Sequence, residues 1–136
     1  MTSTPPSPEI AYATAPPLHL EADELMRLRR AQAIGDREWL LRYAALSDRQ
    51  TLGADPADGK AQTAALRPIQ KLIDFDTEHG TTAGPVAPDD AQWADFPRGY
   101  VRQEYLAWQD EQGADIAQIL PRRRSDGELY VDERPL

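Results

Sequence analysis

Apolar residues recur along most of this chain at the three- and four-residue spacing of an amphipathic helix, and that spacing predicts four main helices. In the first, expected over residues 20–34, Leu20, Leu28, Ala31 and Ile34 share one face, with Leu25 flanking it. Glu21, Asp23 and Glu24 open that helix while Arg27, Arg29 and Arg30 close it, the order that suits the helix dipole. Gly35 is expected to end it, and Asp36 to cap the next. The second helix, residues 37–52, has the clearest pattern. Trp39, Leu40, Tyr43, Ala44 and Leu46 fall on the arc expected to face a core, and Arg37, Glu38, Arg42, Asp48 and Arg49 on the arc expected to face water. After the breaker-rich loop 53–59, a third helix over 60–79 carries Ala61, Ala65, Leu66, Ile69, Leu72 and Ile73. Pro68 inside that pattern should kink it, and Gly80 should cap it. A short helical turn ending near Asp95 leads to Phe96-Pro97. The fourth helix, 98–112, then presents Val101, Tyr105 and Trp108, with Tyr100 at the edge, and one more turn precedes Pro121.

The ends lack this periodicity. Residues 1–17 are rich in Pro, Ser and Thr, and the expected state is an extended, solvated, disordered tail. Two other readings are a docking peptide using Ile10, Tyr12 and Leu18, and a segment packed on its own domain. Residues 122–136 begin with three arginines. Ser125-Asp126-Gly127 is a turn signal there, and Leu129 and Val131 alternate with polar residues, as in a short strand or hairpin. The fold class expected is therefore all-α. It is a small bundle of three to four main helices over residues 18–121, between a Pro-rich tail at 1–17 and a charged tail at 122–136.

Composition narrows the chemistry. With 136 residues the chain has room for one domain. The absence of cysteine removes disulfides, thiolate metal sites and thiol nucleophiles together. Residues 1–17 carry no basic residue and no apolar core of a secretory signal, and no stretch is apolar enough for a bilayer, so a cytoplasmic protein is expected. A net charge of −8 repels polyanions and anionic lipid at long range.

Few positions carry candidate chemistry. Asp76 and His79 lie three apart near the end of the third helix, the spacing of two metal ligands, but nothing in the sequence nominates a third. Asp76 also falls within the apolar arc of its helix, so an arginine from another helix is expected to pair with it. Glu21, Asp23 and Glu24 could form half of a paired-carboxylate site of the kind found in all-α nucleotide pyrophosphatases; no second pair at matching helical phase completes it. His19 has no triad partners. No glycine-rich phosphate loop, HExxH or CxxC occurs, and no cofactor is expected.

Two features suggest binding. Trp93, in a short turn between Asp90 and Asp95, is expected to be partly exposed, and with Arg98 and Tyr100 it has the composition of an interface hot spot. Arg122, Arg123 and Arg124 could meet an acidic protein or nucleic-acid phosphates, although Asp126, Glu128, Asp132 and Glu133 follow closely. The function expected is that of a non-enzymatic helical interaction or accessory protein that binds a protein partner. A DNA-binding regulator using the three arginines is the alternative, and a metal-dependent hydrolase centred on Asp76 and His79 is a distant one.

Overall fold

The computed structural model describes residues 4–53, 57 and 59–119, and among them every regular element is a helix. In chain order these are α1 (Pro8–Ala11), α2 (Leu18–Arg30), α3 (Asp36–Leu52), α4 (Gly59–His79), α5 (Gln92–Asp95) and α6 (Pro97–Ile119). The all-α expectation holds. The strand or hairpin expected near the C-terminus lies outside the described residues.

The middle of the bundle is α6, in which six consecutive residues, Tyr100 to Tyr105, are buried. A helix buried all round shows no clear apolar stripe, because some of its enclosed positions are polar. Here these are Arg102, Gln103 and Glu104. Helix α6 packs against α1, α3, α4 and α5, and α3 and α4 make the most extensive helix pair. The core joins Leu41, Ala44 and Ala45 of α3 to Ile69, Leu72 and Ile73 of α4 and Tyr100, Val101 and Tyr105 of α6. Trp93 and Val86 close it from the loop side. Helix α4 continues through Pro68, and α6 continues through Gly113, where a cap was expected.

Residues 4–17 differ from the expected free tail. Pro8 sits at the start of α1, where its missing N–H costs nothing, and the Ser7 side chain accepts from the Ile10 amide. Ala11 is fully buried. The Tyr12 hydroxyl donates to Asp48 at 2.6 Å, and its ring meets that of Tyr105 edge-on at 5.3 Å. Thr14 bonds Gln109, and Arg49 donates to the Pro16 carbonyl at 2.7 Å. Of the three readings of this segment, packing on its own domain is the observed one. Prolines reduce what is lost on ordering it, since their φ is already set.

Two helices are rotated from their expected phase. In α2 the buried pair is Glu21 and Leu25, while Leu20 is half exposed. In α3 the enclosed face is Leu41, Ala44, Ala45 and Asp48, spaced i, i+3, i+4, i+7, and Tyr43 faces solvent. Both shifts have one cause: the inward faces hold charged side chains that bond across helices, so hydrophobicity alone misplaces them.

Helix α2 stops at Arg30, before Gly35, in a Schellman motif: Ala33 N–H donates to the Leu28 carbonyl, and Gln32 N–H to that of Arg29. The left-handed position is filled by Gln32, with φ of 55°. Gln32→Gly should therefore stabilise the protein by about 0.5–1 kcal/mol, read as a raised midpoint in urea. Gly84 shows the opposite constraint. A Cβ there would lie 2.3 Å from the Gln103 side chain, which is itself pinned to the Val86 backbone and Glu104. Gly84→Ala should cost about 1–3 kcal/mol in the same measurement.

Candidate functional site

Three buried carboxylate centres tie the helices together. Asp48 of α3 is fully buried and accepts from Arg98 at 2.7 Å, from Arg102 at 2.8 and 3.1 Å, and from Tyr12. Asp76 of α4 takes a two-pronged contact from Arg37, at 2.8 and 2.9 Å, and further bonds from Tyr100 and Thr81, each at 2.6 Å. The same Arg37 reaches Glu104 of α6 at 2.7 Å, and Glu104 also accepts the Ala83 and Gly84 amides. Glu21 of α2 bonds Arg49 at 3.0 Å and the Tyr105 hydroxyl, and its other oxygen lies 3.5 Å from Arg42. Arg42 in turn holds Glu24 and Glu38, at 3.0 Å each. Each buried acid is thus neutralised and its lone pairs are occupied, which is what makes burial of the charge tolerable.

This arrangement leaves these groups little capacity for acid–base or metal chemistry. Burial alone would raise the Asp76 carboxyl, but the bonds from Arg37, Thr81 and Tyr100 outweigh it and hold the group below the ordinary aspartate value. His79 lies on the exposed side of the last turn, stacked on Phe75, with Nδ1 2.9 Å from the Phe75 carbonyl. The expected Asp76–His79 metal pair is therefore not formed; Asp76 has the inter-helix arginine instead. Among the described residues no group of three or more metal-ligating side chains converges. Glu21, from the acidic run of α2, is engaged by arginines and Tyr105.

The expected hot spot is also redistributed. Trp93 is buried, its indole N–H donating to the Ala87 carbonyl at 2.8 Å and its ring edge-on to Tyr100. Tyr100 is fully buried and bonded to Asp76. Arg98 is committed to Asp48, Thr51 and Gln62. These three residues form internal structure, because the short turn of α5 folds Trp93 down onto α6. Arg122, Arg123 and Arg124 lie outside the described residues.

A surface with the same composition occurs elsewhere. A groove of about 610 Å³ runs between α3 and α4, lined by Trp39, Leu40, Tyr43, Ala65 and Pro68 and by three cations, Arg29, Arg67 and Lys71. Trp39 and Tyr43, one turn apart on α3, stack with centroids 5.3 Å apart and planes within 9°. The Arg29 guanidinium lies 4.2 Å from the centre of the Trp39 ring. Among the described residues, the Arg67 and Lys71 side chains make no ion pair or hydrogen bond, and no Asp or Glu lines the groove. Ala64, also in the lining, precedes Pro68 by four residues. Its carbonyl lacks the usual helical donor, because proline has no N–H.

No family model matches the chain, and neither a curated protein nor a solved structure does. The groove's chemistry must therefore be read from its own residues. Sequence periodicity missed it by assigning Trp39 and Tyr43 to the core. The available signal was Arg42 and Asp48 on the same helix, which pair inward and turn the aromatics out.

Each carboxylate centre also contains a tyrosine. Burial and the adjoining acid push up the hydroxyls of Tyr12 beside Asp48, Tyr100 beside Asp76 and Tyr105 beside Glu21. A raised folded-state value contributes stability below the unfolded value and loses it as pH climbs beyond about 10. Asp76 has the opposite sign: its contribution is full above about pH 4 and is lost as pH falls through the depressed folded value. Urea denaturation from pH 3 to 11 should therefore give a plateau that falls at both ends. Asp76→Asn, which leaves the part-buried Arg37 guanidinium with Glu104 as its one remaining acid among the described residues, should lower the plateau by about 2–4 kcal/mol and flatten the acid limb.

Proposed function

We propose that this protein is a non-enzymatic binding module that docks a protein partner in the groove between α3 and α4. One observation carries this reading: a stacked Trp–Tyr pair lies in an open groove beside three cations that have no acidic counterpart among the described residues. Tryptophan, tyrosine and arginine are enriched among the residues that dominate interface energetics, and the two aromatics bury a large area while losing little freedom. Two further features fit. The buried acids Glu21, Asp48 and Asp76 are occupied by arginine and tyrosine. The arginines at 37, 42, 49, 98 and 102 are engaged inside the domain and do not form a basic face for nucleic acid. The DNA-binding alternative drew on Arg122–Arg124, which lie outside the described residues.

The test is native co-purification of the full chain with mass spectrometry, repeated with Tyr43→Ala and Trp39→Ala. A recovered protein should be lost or weakened by about 1–2 kcal/mol or more in each variant, while far-ultraviolet circular dichroism stays unchanged. Undiminished recovery with both variants, or an inert monomer in native lysate, would sink the proposal.

A further inference from the structure

The groove reading leaves open what kind of segment it accepts, and the charges lining it narrow the choice. Resting on that reading, we infer that the occupant is a short acidic segment of a protein partner, which inserts apolar or aromatic side chains against Trp39 and Tyr43 and sets carboxylates against Arg67, Lys71 and Arg29. The sequence carries 15 Lys and Arg against 23 Asp and Glu, and the internal arginines are consumed by buried acids. Arg67 and Lys71 are outside that network: they are exposed, four residues apart on one face of α4, and unpaired among the described residues. One helical turn sets them roughly 6 Å apart along the axis, a spacing that two carboxylates on neighbouring residues of a bound segment can match. Arg29 supplies a third positive group beside the aromatic stack.

The remainder of the lining favours a polypeptide over a simple anion. A groove of about 610 Å³ has room for more than one large side chain. The Ala64 carbonyl is an acceptor without its helical donor, and Ser47 and Gln50 add polar groups that can both donate and accept. A peptide brings N–H donors together with carboxylates; a phosphodiester brings acceptors alone. A basic segment would meet three like charges. The surrounding negative field weakens long-range attraction of a strongly acidic partner, so the contact is short-ranged and sensitive to salt.

A photo-crosslinking experiment on the full-length protein in its native cells tests this. Gln50, an exposed groove residue outside the aromatic stack, is replaced by p-benzoylphenylalanine, with the exposed Glu78 on the same helix as Arg67 as the control position. The crosslinked segment is then sequenced by mass spectrometry. The expected result is a polypeptide adduct specific to position 50, net negative around an apolar or aromatic residue. Its yield should fall about tenfold in Arg67→Glu/Lys71→Glu and decline as salt rises in lysate. A neutral or basic segment, or a yield unchanged by the double reversal in a folded variant, overturns the inference and leaves the docking groove standing. The absence of a polypeptide adduct above the control, or an adduct to a nucleotide or other small anion, overturns both.

Discussion

The structure depends on burying carboxylates that single helices cannot satisfy. Asp48, Asp76 and Glu104 have no solvent exposure, and Glu21 almost none. A lone charge in such a place would cost several kcal/mol, so each can exist only where guanidinium groups from other helices meet it. That requirement is geometric as well as energetic. Arg37 of α3 must reach both α4 and α6, and Arg98 and Arg102 of α6 must converge on α3. The helices are therefore held by directional bonds in addition to the non-directional attraction of apolar surfaces.

The rotation of α3 follows from this. With Leu41, Ala44, Ala45 and Asp48 facing inward, residues 39 and 43 must lie on the flank. An aromatic pair that would suit a core thus becomes one wall of the groove, opposite the α4 face that bears Arg67 and Lys71. The proposed docking surface is in this sense a consequence of how the interior is wired. The same wiring orders the N-terminal segment, because Tyr12 completes the Asp48 centre and Arg49 holds the Pro16 carbonyl.

Much of the fold was legible in the chain. The apolar spacing of α4 marked Ala65, Ile69, Leu72 and Ile73 correctly, and these are buried. Asp76 within that arc announced an arginine partner, which proved to be Arg37. The candidate site was less legible: Trp93, Arg98 and Tyr100 had the right composition and the wrong location. Their counterparts Trp39, Tyr43 and Arg29 share one groove although α2 and α3 alone give no sign of it.

What the sequence determined by itself was local: which main segments are helical, that α3 and α4 end at Gly53 and Gly80, and which chemistries the absence of cysteine removes. These follow from propensity, capping and periodicity, which act over a few residues. The tertiary structure alone decided which face of α2 and α3 turns inward, whether residues 4–17 are packed, and which aromatics remain at the surface. The reason is that hydrophobic phase assumes charges face water. Here Glu21, Arg42 and Asp48 face inward, each stabilised by partners far away in sequence, and only the folded arrangement brings those partners within bonding distance.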